Sequence, residues 1–167
     1  MPDDGNRYEI IGGDLLVTPP PSTEHQGISA ILADLLFRAR RAGYGRSFAA
    51  PTGVVLPTGD SAEPDLLFIR RDRLHIIAPD KVRGVPDLVI EILSPSNPEN
   101  DLIRKYQANK RAGVPFYWVV DPAARAVQPY TLREGAYAAD ATLPSGDRLG
   151  SLLFPDITLD VGRLFLG

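Results

Sequence analysis

The stretch from Asp87 to Asp121 constrains the fold more than any other part of the chain. It predicts an apolar strand over 87–93 (DLVIEIL), a helix over about 98–112 and a second apolar strand over 116–120 (FYWVV), which takes Trp118 into the core. Two buried strands joined by a helix lie parallel, with a right-handed crossover, because only that hand lets the helix pack back onto the sheet. Asn97 can cap this helix, Pro98 suits its first turn and Gly113 its end. Strands this continuously apolar are buried on both faces.

The remaining segments fall around that unit. Residues 7–17 (RYEIIGGDLLV) read as a hairpin turning at Gly12-Gly13. After Pro19, Pro20 and Pro21, Ser22 or Thr23 can cap a helix running to about Ala42 and stopped by Gly43. Its apolar stripe is Ile28, Ile31, Leu32, Leu35 and Leu36. Short strands follow near 46–49, 53–57 and 65–69, joined by short connections and so antiparallel. Weaker strands near 126–132 and 136–142 form a hairpin around Glu134-Gly135, and 149–167 reads as mostly irregular. With 167 residues and no repeat, one domain over 1–167 is expected. The fold class is α/β (α+β): a mixed β-sheet flanked by helices, with added N- and C-terminal hairpins.

Composition narrows the chemistry. The chain has no cysteine, which excludes disulfides and thiolate metal sites. Any metal is left to oxygen donors, which suit magnesium, manganese or calcium, or to His25 and His75. A net charge of −3 argues against a dedicated nucleic-acid coat protein. The cations nevertheless cluster: Arg38, Arg40, Arg41 and Arg46, then Arg70, Arg71 and Arg73, then Arg104, Lys105, Lys110 and Arg111. Each cluster taken alone reads as solvated surface. No apolar run spans a bilayer, and the acidic N-terminus lacks an apolar signal segment, so a cytoplasmic, non-membrane protein is expected. Phosphate-binding loops, dinucleotide glycine fingerprints and nucleophile elbows are lacking.

Three residues break patterns that should be apolar. Glu91 sits inside the buried strand, where an ionised carboxylate is costly unless it is paired or holds a metal. Asp65 opens the strand DLLFI directly after Pro64, where a simple turn role is the alternative. Asp87 shares that Pro-Asp context. It lies on the strand of Glu91, four residues and over ~13 Å away, too far to share an ion. Asp65, on a neighbouring strand, is therefore the preferred partner. Lys105 and Asn109 interrupt the inward stripe of the second helix with Leu102 and Tyr106. The alternative for Lys105 is to extend into solvent beside Asp101. Glu24 and His25 stand at the start of the first helix, where a dipole-favoured Glu and a buried, hydrogen-bonded His are the ordinary roles. His75 has no partner at ligand spacing.

These motifs, EPDLLFI, PDLVIEILSPSN and D…K…AGVPFYWVVDP, together with YEIIGGDLLV and PPPSTEHQGIS, resemble the Uma-two family of restriction-endonuclease-like proteins over nearly the whole chain. That family belongs to the PD-(D/E)XK nuclease superfamily. The resemblance implies a core of a helix, three antiparallel strands, a helix and a fourth strand. It implies a metal-dependent endonuclease that hydrolyses phosphodiester bonds of nucleic acid, with DNA the expected polymer. Asp65 and Glu91 would hold Mg2+ or Mn2+ with the carbonyl of Ile92, and Glu24 or His25 would be accessory. In the superfamily the lysine usually follows the second acid by two positions. Leu93 stands there, and Lys105 takes the place of a lysine moved to the following helix, to orient or help deprotonate the attacking water. Asn109 stands where relatives usually carry Tyr, and Phe116 where they carry Glu. Many nucleases of this kind act as homodimers, and dimerisation is possible here. Two rivals stand beside this reading: a non-catalytic binding module on the same fold, and a metal-dependent hydrolase of a small phosphoester.

Overall fold

The structure, a computed structural model, describes residues 2–95 and 99–166. The cap expected at Asn97 and the first-turn Pro98 lie outside the described residues. Strands β1 (Arg7–Ile11) and β2 (Asp14–Thr18) form the expected hairpin. Gly12 and Gly13 both take positive φ at its turn, which costs glycine little. Helix α1 (Thr23–Arg41) begins where the Ser22 hydroxyl accepts the His25 N–H at 3.1 Å. Its buried stripe is Ile28, Leu32, Leu35, Leu36 and Ala39.

Then come β3 (Gly45–Ala49), β4 (Val54–Val55), β5 (Ser61–Ala62), β6 (Leu66–Arg70), a 3-10 turn (Arg71–Ile76), β7 (Val82–Arg83) and β8 (Leu88–Ile92). Helix α2 (Glu99–Ala112) ends at Gly113, at φ 83. It leads into β9 (Phe116–Asp121), β10 (Ala126–Arg133), β11 (Ala136–Ala139) and β12 (Leu143–Pro144). The chain closes with β13 (Arg148–Leu149), β14 (Leu159–Asp160) and a 3-10 turn (Val161–Phe165).

The main sheet runs β11-β10-β9-β8-β6-β3, with β12 beside β10. At its centre β8 pairs parallel with β9, across α2, and antiparallel with β6. This is the crossover read from the sequence. Alternation then sorts the side chains. Leu66, Phe68, Leu88, Ile90, Ile92 and Trp118 pack with the α1 stripe on one face. Leu67, Ile69 and Val89 face the other way.

The expected N-terminal hairpin founds a second sheet, ordered β2-β1-β5-β4-β7. Two expectations are corrected. The strand expected over 53–57 shrinks to Val54–Val55 and joins that sheet, parallel to β7. Pro51 before it and Pro57 after it lack ladder donors, which limits its length. The tail is not merely irregular. It places Leu149, Phe154, Leu159, Val161 and Leu164 in the α1 core, with the Phe154 ring edge-on to Phe68 at 5.3 Å.

Candidate active site

The β6–β8 register builds the site. Leu66 pairs with Ile90 and Leu67 with Val89, so one further step sets Asp65 opposite Glu91. Directly opposed residues share a face, here the face covered by α2. Lys105 reaches down from that helix. All three side chains are buried, and they line one cavity of about 310 Å³ with Arg7, His25 and Glu63.

Asp65 is held from three sides. Its Oδ1 lies 2.9 Å from Arg7 and 3.2 Å from His25 Nε2, and its Oδ2 accepts the Ile92 N–H at 2.7 Å. Burial alone would raise its pKa. The His25 hydrogen bond, the Arg7 charge and the Ile92 amide outweigh burial and bring it down to about 2. Glu91 goes the other way. Burial outweighs the attraction of Lys105, and repulsion from Asp65 and Glu9 adds to it, so its carboxyl is pushed up to about 8. Lys105 Nζ stands 3.7 Å from Glu91 Oε2 and 2.8 Å from Glu9 Oε2. Burial would lower the amine's pKa, but the Glu91 and Glu9 carboxylates hold it above the ordinary lysine value. Lys105 thus does not extend into solvent beside Asp101.

The other candidates sort by geometry. His25 faces the cavity, but Glu24 does not. One residue turns about 100° around a helix, and Glu24 lies exposed in a separate groove beside Leu164 and Phe165. The accessory role expected of Glu24 therefore has no geometric support. Asp87 lies apart, accepting the Arg70 N–H and pairing with Arg73, both at 2.9 Å. Asn109 turns its amide to the Lys105 carbonyl at 2.9 Å and serves the helix. Several clustered arginines tie elements together: Arg73 to Asp87, Arg104 to Asp14 and Arg111 to Asp60.

Arg7 and Glu9 are the residues the sequence reading missed. Both come from β1, two positions apart and so on one strand face. Glu9 is 1% exposed, in a hairpin that by itself reads as amphipathic surface. The available signal was Glu9 lying two residues before Ile11, on the same face of the strand.

The residues fit a divalent cation. A carboxylate offers about four acceptor positions, and the three contacts on Asp65 leave one. Glu91 is a buried acid facing another acid, the arrangement a cation relieves. The donors are oxygens, as magnesium and manganese prefer. Among the described residues no three Asp, Glu or His side chains converge on one point. Carbonyl and water oxygens would complete the sphere, which is usual for magnesium.

The comparisons with known proteins agree with this fold. None of the curated proteins compared matches the chain. A solved structure described as a putative nuclease belonging to DUF820, from Anabaena variabilis, superposes with a TM-score of 0.81. It covers 99% of this chain and 93% of its own at 19% identity, which establishes the shared fold. The family model Uma2, described as "Putative restriction endonuclease", matches residues 1–162. The chain belongs to the Uma2 family of restriction-endonuclease-like proteins.

Proposed function

We propose that this protein is a metal-dependent endonuclease that hydrolyses phosphodiester bonds of nucleic acid, with DNA the expected polymer and Mg2+ or Mn2+ the expected ion. The observation that carries the reading is the opposed pair Asp65 and Glu91, buried together in one cavity beneath the Lys105 amine. Asp65, Glu91 and the carbonyl of Ile92 would hold the ion. A bound divalent cation would supply neutralisation of charge on the scissile phosphate and activation of the attacking water.

The chain's own residues define the rest. Arg7 and His25 fix the Asp65 carboxylate, so its orientation is set before any ligand arrives. Lys105, facing the Glu9 and Glu91 carboxyls, would place a cation where charge develops on the phosphate. Asp65, Glu91 and Lys105 are each at most 5% exposed, which limits the water around them and strengthens their electrostatic effect.

The test is a panel of single- and double-stranded DNA and RNA with magnesium or manganese, with Glu91→Gln as the matched control. Cleavage by the wild type, stopped by chelation and lost in the control, is expected. Equal cleavage in both would reveal a contaminant. Binding without cleavage across the panel favours a non-catalytic module. Turnover of a small phosphoester alone favours the small-substrate hydrolase.

A further inference from the structure

We propose that Glu9 is the positioning residue for Lys105: the N-terminal hairpin carries the carboxylate that fixes where the α2 amine stands. The inference rests on the nuclease reading of Asp65, Glu91 and Lys105. Lys105 Nζ lies 2.8 Å from Glu9 Oε2 but 3.7 Å from Glu91 Oε2, so Glu9 is the nearer partner. Glu9 is itself immobilised, because its Oε1 accepts the Glu63 N–H at 2.8 Å and the residue is 1% exposed. A lysine is a point charge on a flexible four-carbon stem and takes its place from its partners. With Glu9 present, the amine is drawn off Glu91 and leaves that carboxylate open to the cavity. With Glu9 replaced by glutamine, the amine loses its nearer charged partner, and the 3.7 Å contact to Glu91 does not fix it. Arg7, two residues earlier on the same strand, meets Asp65 at 2.9 Å. One strand of the small sheet thus sets both halves of the site.

The test uses the full-length, metal-free protein labelled with nitrogen-15 lysine. The chain has three lysines, Lys81, Lys105 and Lys110, so the ammonium signals are readily assigned. At one fixed pH, the buried Lys105 ammonium should give a slowly exchanging signal that Glu9→Gln abolishes and Glu91→Gln leaves in place. Survival of the signal in Glu9→Gln, or its loss only in Glu91→Gln, overturns the proposal. In cleavage assays Glu9→Gln should lower kcat by about a hundredfold, the scale of a misplaced group, with KM for the polymer unchanged. Glu9→Asp should fall between wild type and Glu9→Gln. A change confined to KM overturns the positioning role. If Glu9→Gln does not fold, Glu9→Asp decides: its Lys105 signal should persist but shift, with kcat reduced, and no change in either refutes the proposal. If the wild type cleaves nothing, the nuclease reading falls, and the ammonium signals still decide what holds Lys105.

Discussion

Glu91 and Asp65 face one another with opposite electrostatic histories, and pH separates them. The folded-state value for Glu91, about 8, lies above its ordinary 4.5. The folded protein therefore keeps a proton there that the unfolded chain has released. The stability this confers is full below about pH 4.5 and is lost as pH rises through about 8. Asp65, at about 2 against 3.8, contributes stability that is full above 3.8 and lost as pH falls through 2. Metal-free protein should accordingly lose melting temperature between about pH 5 and about pH 9, and Glu91→Gln should remove most of that slope, worth on the order of a few kcal/mol. An unchanged slope in Glu91→Gln would show that the buried charge is elsewhere. Magnesium or manganese should restore the loss by mass action, about 2.7 kcal/mol at a hundred times Kd. Asp65→Asn and Glu91→Gln should blunt that response. An identical metal response in wild type and both variants would place the ion outside this cavity.

On the scale of elements, α2 and β3 make contrasting demands. Lys105 is the buried cation facing both Glu9 and Glu91, so Lys105→Ala leaves two buried acids without it. Breaking a buried pair from one side costs about 3–5 kcal/mol, and that loss should appear in the denaturant midpoint at neutral pH. A midpoint unchanged from wild type would mean that Lys105 pairs with neither acid. In β3, a Cβ on Gly45 would stand 2.1 Å from the Ile69 carbonyl oxygen. Gly45→Ala must push β3 away from β6 and should cost about 1–3 kcal/mol, the range for overpacking, read from the same midpoint without change in metal response. The elements also differ in how plainly the sequence announced them. Glu91 and Lys105 were legible because each breaks an apolar pattern of its own strand or helix, and Asp65 because it opens the strand next to that of Glu91. Arg7 and Glu9 break nothing local. Polar alternation in a hairpin ordinarily means a wet face, and only the packing of Ile11 and Leu16 against Ala108 of α2 turns that face inward. Glu24 lies outside the cavity for the converse reason, since sequence adjacency to His25 is not adjacency on a helix.

Over the whole molecule, the crossover and its sheet followed from apolar runs and caps, whereas the second sheet and the buried tail depend on contacts between distant segments. Leu149, Phe154 and Leu164 lie on a path with no period, so no local rule marks them as core. The small sheet is tied to α2 at its surface by Arg104–Asp14 and Arg111–Asp60, at 3.4 and 3.6 Å. The first pair has both side chains open to solvent and contributes about 0.2–1 kcal/mol, whereas Asp60 of the second is buried. Arg104→Ala should therefore leave the melting temperature nearly unchanged, and a loss of several kcal/mol in a denaturant titration would show that this link, not the apolar contact, holds the two sheets together.

The β6–β8 pairing has a consequence of its own. Asp65 and Glu91 owe their meeting to a ladder in which side chains alternate at a period of two. A slip of β6 by a single residue would turn Asp65 into the apolar layer under α1 and present Leu66 to the cavity beside Glu91. The opposition of the two acids is thereby all-or-none: a chain slipped by one residue keeps one acid in the cavity and loses the pair. The strand ladder thus acts as a safety catch on the site, released only by correct folding.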